Sequence, residues 1–280
     1  MNITIAQTAG FCMGVDLALR KLDSALSAKR RGKLCTLGPI IHNPQVLARY
    51  ADLGVTQTND MATLDAGDTV IIRAHGIPRQ TESLLERKGV TIIDATCPKV
   101  KKAQLLIQKQ AESGRHLLLF GERDHPEVRG LISYASGCDV FESLAELETL
   151  PLDMSRPYFL AAQTTQDQDA LNQIHIYLQT ASPDIVALDT ICTATKERQD
   201  EVRLMAHDLD AMVVVGGKDS GNTRRLAQIA HECGVFTVHV ETSSELPIHE
   251  LKRYGRIGLT AGASTPAWII NAVAEKLQNS

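Results

Sequence analysis

The chain contains no C-x-x-C pair, which removes the local signature of zinc ribbons, thioredoxin-like dithiols and ferredoxin-type clusters. It contains no G-x-x-x-x-G-K-[ST] loop and no G-x-G-x-x-G, so ATP and dinucleotide readings lose their best support. No apolar run approaches the roughly 18 residues that span a bilayer. The N-terminal Met1-Asn2-Ile3-Thr4-Ile5-Ala6 lacks the basic region and cleavage pattern of a signal peptide and leads straight into a strand-like run. A basic surplus is missing too. The formal net charge is −4, and Lys29-Arg30-Arg31 and Lys99 to Lys102 read as solvated helix faces, so no nucleic acid partner is expected. A soluble cytoplasmic protein with no membrane partner follows as the expectation.

What is there is a 280-residue, 44% hydrophobic chain, long enough for one large domain or two to three small ones. Its six cysteines are Cys12, Cys35, Cys97, Cys138, Cys192 and Cys233. Three disulfides would suit the even count, but a chain this size in a reducing compartment needs no staples, so free thiols are expected.

Short β-branched runs alternate with amphipathic stretches throughout. Strands are expected at Thr69–Arg73, Thr91–Asp94, His116–Phe120, Tyr158–Ala162, Ile185–Asp189, Ala211–Val215, Val235–Val240 and Ile257–Thr260. Helices are expected at Pro98–Glu112, Ala194–His207, Thr223–Glu232 and Pro266–Leu277. This alternation predicts an α/β fold with parallel, doubly covered sheets. A unit of strand, cysteine and helix start recurs at Cys12, Cys97 and Cys192, each about a third of the chain from the next. It predicts three similar α/β units, 1–96, 97–190 and 191–280, each with one cysteine at the carboxyl end of a strand, where ligands of open α/β sheets gather.

Polar residues cluster where helices begin. Asn43 takes the N-cap role before Pro44, and the pattern returns at Cys97-Pro98 and His125-Pro126-Glu127, with Gly76-Ile77-Pro78 and Ser264-Thr265-Pro266 as looser versions. Free N–H groups and a partial positive charge at such ends favour anions, thiolates included. Gly216-Gly217-Lys218-Asp219-Ser220-Gly221-Asn222 joins an apolar strand to a helix, with glycines that let the backbone approach an anion.

At these residues the chain resembles the LytB/IspH family, the 4-hydroxy-3-methylbut-2-enyl diphosphate reductases. The resemblance rests on Gly10-Phe11-Cys12-Met13-Gly14-Val15, Ile41-His42-Asn43, Ala74-His75-Gly76, Asp94-Ala95-Thr96-Cys97-Pro98 and His125-Pro126-Glu127-Val128. It continues through Gln163-Thr164-Thr165, Asp189-Thr190-Ile191-Cys192-Thr193-Ala194-Thr195, Lys218-Asp219-Ser220-Gly221-Asn222 and Thr260-Ala261-Gly262-Ala263-Ser264-Thr265-Pro266. These segments run in order over nearly the whole chain.

The resemblance implies a trefoil-like, pseudo-threefold arrangement of the three units around a central [4Fe–4S] cluster. It implies Cys12, Cys97 and Cys192 as the ligands, with one iron left free of protein. It implies reductive loss of the substrate's hydroxyl, giving isopentenyl and dimethylallyl diphosphate, with ferredoxin or flavodoxin as electron donor. His42, His75, His125, Ser220, Gly221, Asn222 and Ser264 would contact the allylic diphosphate, and His125 could also lie on the proton path. Glu127 would be the proton source, Thr164 would bind the hydroxyl and relay the proton, and Gln163 would support them. Gly221 stands where the family usually has a second serine, which removes one hydroxyl donor and keeps the backbone N–H. Cys35, Cys138 and Cys233 are expected as small buried hydrophobes. His116, His175, His207, His231, His239 and His249 are expected to be structural or on the surface. Two other readings stay open on sequence alone: an iron–sulfur or zinc redox sensor, and an α/β phosphosugar enzyme with incidental cysteines.

Overall fold

The computed structural model describes residues 1–153 and 155–280. In chain order the strands are β1 (Asn2–Ile5), β2 (Leu34–Leu37), β3 (Val55–Thr58), β4 (Thr69–Ile72), β5 (Thr91–Asp94) and β6 (His116–Phe120). They continue as β7 (Cys138–Phe141), β8 (Tyr158–Ala162), β9 (Val186–Ala187), β10 (Ala211–Val215), β11 (Phe236–Val240) and β12 (Arg256–Ala261). The helices are α1 (Met13–Ser27), α2 (Pro44–Asp52), α3 (Arg79–Lys88), α4 (Pro98–Glu112), α5 (Pro126–Ile132) and α6 (Leu144–Thr149). After them come α7 (Gln168–Ala181), α8 (Thr193–Ala206), α9 (Gly221–Glu232), α10 (Ile248–Leu251) and α11 (Ala267–Gln278). None of the described helices is long and apolar enough to cross a membrane.

The strands form three parallel four-stranded sheets, ordered β3-β2-β4-β5, β7-β6-β8-β9 and, read from its other edge, β11-β10-β12-β1. The order is the same each time: a first strand, its successor on one side, the third strand on the other, and a fourth outside it. In the last sheet that fourth strand is the first of the chain, with Ile3 opposite Ile257. The strand before Cys12 therefore lies with the strands of 211–261 and not with those of 34–94. The strand–cysteine–helix pattern cannot show this, because it does not say which neighbour a strand pairs with.

The chain forms two compact units. One comprises Met1–Asp16, Ile41–Arg49 and Thr193–Ser280; the other comprises Leu17–Ile40 and Tyr50–Cys192. In the first, β10 sends Ala211, Val213 and Val215 to a core with Ile269, Val273 and Leu277 of α11. Met212 and Val214 pack on its other face with Val202 of α8 and Leu226 of α9. In the second, β6 sends Leu118 and Phe120 toward Leu171 and Ile174 of α7, and Leu117 and Leu119 toward Ala103 and Ile107 of α4. Strands covered on both faces are apolar at nearly every position, as β10 is throughout and β6 is after His116. Each fully buried Leu or Ile adds about 1.5–3 kcal/mol over its exposed state.

β9 is shorter than the expected Ile185–Asp189. The Thr190 hydroxyl takes over the ladder there, accepting from Ala162 N at 2.9 Å and donating to Ala162 O at 2.8 Å. β2, β3 and β7 were not among the expected strands; each is four residues long, and polar residues interrupt its apolar pattern.

Candidate active site

Each of the three family-matched cysteines immediately precedes a helix: Cys12 before α1, Cys97 before α4 and Cys192 before α8. Each directs its backbone N–H to a carbonyl two residues beyond the end of the neighbouring strand. Cys12 reaches Ala263 at 3.1 Å, past β12. Cys97 reaches Ala74 at 2.9 Å, past β4, and Cys192 reaches Thr164 at 2.9 Å, past β8. The threefold repeat thus extends to single hydrogen bonds. None of the three is in a disulfide, and all are half-buried. The other cysteines differ: burial raises the Cys35 thiol pKa and pushes that of Cys138 up to about 12, which disfavours thiolate. Cys233 departs from expectation, because it is exposed at the C-cap of α9. A thiol at a helix start, where a thiolate is favoured, has the chemistry of a metal ligand.

The first strand of each sheet feeds the second set of candidates. The chain leaves it through a glycine whose N–H bonds the end of the adjacent strand: Gly38 to Thr58, Gly121 to Phe141 and Gly216 to Val240. It then reaches His42-Asn43 before α2, His125 before α5 and Ser220 before α9. Two of these positions show why the residue is glycine. A Cβ on Gly121 would lie 2.9 Å from both Gln163 and Val128, and Gly216 has φ +147° with Thr265 Oγ1 2.5 Å from a Cβ.

In the first unit, Asn43 caps α2 as expected, its Oδ1 accepting from Val46 N at 3.0 Å. Ser220 Oγ accepts from Thr223 N at 3.3 Å, capping α9 and leaving its O–H to donate. Gly221 opens α9, so its N–H belongs to the first turn, where no intrahelical acceptor exists. Asn222 is buried, and its Nδ2 has no partner among the described residues. A buried amide donor left open calls for an acceptor, which a water or a ligand can supply. Ser264 Oγ donates to His42 O at 3.0 Å, so this hydroxyl must turn before it can serve a phosphate. A Cβ on Gly217 would meet the same carbonyl at 2.6 Å.

In the second unit, Thr164 donates to both oxygens of Glu127, through N to Oε1 at 2.6 Å and through Oγ1 to Oε2 at 2.9 Å. Glu127 is 2% exposed. Burial pushes its pKa up to about 7; the two bonds from Thr164 oppose the shift, and Glu122 adds to it. At neutral pH the carboxyl is therefore poised between acid and carboxylate. His125 Nδ1 accepts from Glu127 N at 3.1 Å, which leaves the proton of the neutral ring on Nε2 as a donor. The His75 and His125 rings meet edge to face, centroids 5.3 Å apart. Gln163 Oε1 accepts from Glu122 N at 3.0 Å, bracing the loop that carries His125.

Sequence reading missed two residues of α8. Arg198, 5% exposed, donates to Gly10 O at 2.8 Å and to Ala194 O at 2.9 Å. Glu201 accepts from Gln7 N at 2.6 Å, Thr8 N at 2.9 Å and the Thr8 hydroxyl. Together they clamp the segment that leads to Cys12. Their partners are main-chain groups far away in the chain, so no local motif announces them. Among the six background histidines, His116 is buried and bonded to Asp139 at 2.9 Å, while His239 bonds Gly216 O at 2.9 Å.

The family model described as LytB protein matches residues 3–278. The 4-hydroxy-3-methylbut-2-enyl diphosphate reductase of Desulfovibrio desulfuricans is 55% identical, with both chains covered in full. That of Aquifex aeolicus is 40% identical over 99% of this chain and 96% of its own. The structure of the E-1-hydroxy-2-methyl-but-2-enyl-4-diphosphate reductase from Plasmodium falciparum superposes with a TM-score of 0.95 at 27% identity, covering 99% of this chain and 88% of that one. A solved (E)-4-hydroxy-3-methyl-but-2-enyl diphosphate reductase, the terminal enzyme of the non-mevalonate pathway, gives 0.72 at 39% identity over 100% and 99%. With its three cysteine loops, its repeated sheet order and a match along nearly its whole length, the chain belongs to the LytB family.

Proposed function

We propose that this protein is the oxidoreductase that removes the hydroxyl of 4-hydroxy-3-methylbut-2-enyl diphosphate, giving isopentenyl and dimethylallyl diphosphate and water. The observation that carries the reading is Thr164, which holds both oxygens of a buried carboxyl while its carbonyl accepts the N–H of Cys192. An acid and a metal-ligand loop thus share one residue.

Cys12, Cys97 and Cys192 would hold a [4Fe–4S] cluster, which supplies the electrons for reductive C–O cleavage when bound. The diphosphate would lie against helix N-termini, taking donors from His42, His75, His125 Nε2, Ser220, the Gly221 N–H, Asn222 Nδ2 and Ser264. Glu127 would give the proton that hydroxyl loss requires. Its Oε2 lies 2.9 Å from Thr164 Oγ1, so a protonated Glu127 can pass a proton to that hydroxyl while Thr164 passes its own onward. Cysteines outside any disulfide suit a reducing compartment such as the cytoplasm, and an external ferredoxin or flavodoxin would deliver electrons.

The test is anaerobic loading with iron and sulfide, then addition of the substrate and measurement of reduced-viologen oxidation. Substrate-dependent oxidation that stops with Cys97→Ser supports the reaction and the cofactor together. A fully loaded protein that oxidises no viologen would favour the sensor reading instead.

A further inference from the structure

A groove of about 570 Å³ runs along α4 within the second unit, lined by Pro98, Lys101, Lys102, Leu105 and Lys109 of that helix and by Lys21 of α1. Pro98, the Lys101-Lys102 pair, Leu105 and Lys109 follow one another at three to four residues, so they form one stripe of the helix surface. Leu105 is 63% exposed at the middle of the stripe. Lys21 donates to the Asp94 carbonyl, and Lys101 pairs with the Asp94 carboxylate at 2.9 Å. Lys102, 57% exposed, stands 3.9 Å from a largely exposed Asp189. In a chain of net charge −4, four lysines thus stand around the groove against two carboxylates, Asp94 and Asp189. An apolar middle with a charged rim is the anatomy of a protein contact.

The reaction needs an outside source of electrons. Converting the substrate consumes two electrons and two protons and releases one water, and the chain has no dinucleotide-binding motif to supply a hydride. The groove begins at Pro98, the residue that follows Cys97.

We infer that this lysine-rimmed groove on α4 docks an acidic one-electron carrier protein, Leu105 contacting its apolar centre and Lys102 and Lys109 steering its carboxylates. Each docking oxidises one carrier by one electron, and two dockings complete one turnover. The inference rests on the reductase reading above, and its test separates the two.

The experiment follows binding of a fluorescently labelled acidic bacterial ferredoxin by anisotropy, at low and high salt, to the wild type, to the double variant Lys102→Glu/Lys109→Glu and to Leu105→Glu. Turnover of the cluster-loaded proteins is measured in parallel with reduced ferredoxin and with reduced viologen. Binding to the wild type should weaken steeply with salt. The double variant should bind at least about tenfold more weakly and raise the KM for ferredoxin to match. Leu105→Glu should weaken binding as well, and viologen-driven turnover should stay within about twofold of wild type in both variants. Equal ferredoxin binding by wild type and double variant, or no binding by the wild type, overturns the docking site. Loss of viologen-driven turnover in parallel with ferredoxin-driven turnover overturns it too, since the variants would then damage the enzyme itself. Wild-type protein that binds ferredoxin but turns over with neither donor leaves the docking site standing and removes the reductase reading.

Discussion

Arg198 donates from Nη2 to the carbonyl of Gly10 at 2.8 Å, across a sequence separation of 188 residues. The bond ties the second turn of the helix that Cys192 opens to the loop that ends in Cys12. Arg198→Met keeps the apolar stem but leaves the Gly10 carbonyl without this charged donor. We expect a loss of about 2 kcal/mol in urea denaturation. Bound iron should also pass to a chelator faster than from wild type, because the Cys12 loop opens more often. Equal chelation rates would limit Arg198 to folding.

Glu127 makes a sharp pH prediction. Its pKa is raised to about 7, so the protonated acid is abundant below that pH and scarce above it. Turnover should fall as pH rises through about 7. For the stability of the metal-free protein the sign is the same. The favoured neutral form contributes fully below about pH 4.5, the ordinary carboxyl range, and the contribution is lost by the time pH has passed about 7; it is on the order of 3 kcal/mol. Glu127→Gln should flatten that part of the stability profile and keep the cluster while abolishing turnover. A variant with full activity removes Glu127 as the acid.

Thr164→Val deletes one of the two hydrogen bonds that lower the Glu127 pKa. The residual activity should therefore show its alkaline decline at higher pH than wild type. The rate itself should drop about 10²- to 10⁴-fold if the hydroxyl relays the proton. A drop without the pH shift would mean the hydroxyl serves the substrate and not the acid.

The cysteines divide cleanly. Serine at Cys12, Cys97 or Cys192 should lower iron content and bleach the visible absorption of the loaded protein, whereas serine at Cys233, exposed at the end of α9, should change neither. Full iron content in Cys12→Ser would break the three-ligand assignment.

Gly221→Ser restores the hydroxyl that the family usually has at the first residue of α9. A hydrogen bond donated to an anionic phosphate oxygen is worth about 1.5–3 kcal/mol, so the KM for substrate should fall about ten- to a hundredfold. An unchanged KM would mean the Gly221 N–H already satisfies that phosphate oxygen.

Legibility in the sequence followed locality. The strand at Ala211–Val215 and the helix at Pro98–Glu112 were readable because five buried positions in a row, or Val100, Ala103 and Ile107 at helical spacing, carry a period of their own. Asn43, His125 and Ser220 were readable as helix starts because a cap and its N–H lie within three residues. What escaped depends on distant partners. The place of β1 beside β12, the Arg198–Gly10 bond and the Thr190 hydroxyl completing the β8 edge leave no trace in a window of ten residues. Glu127 illustrates the boundary: its position was named from the family pattern, but the burial that makes it an acid near neutrality comes from packing.

The pairing of β1 with β12 also orders events during synthesis. Asn2–Ile5 is translated long before Arg256–Ala261, so β1 waits through the intervening chain before its partner appears. Cys12 waits with it, because the acceptor of its N–H is Ala263. The loops of Cys97 and Cys192 need only Ala74 and Thr164, both translated earlier. A metal donor meeting the nascent chain would find at most two of the three thiols seated. Seating of Cys12 therefore waits for Ala263, and a chain cut short before Arg256 would leave its first cysteine loose for oxidants to reach.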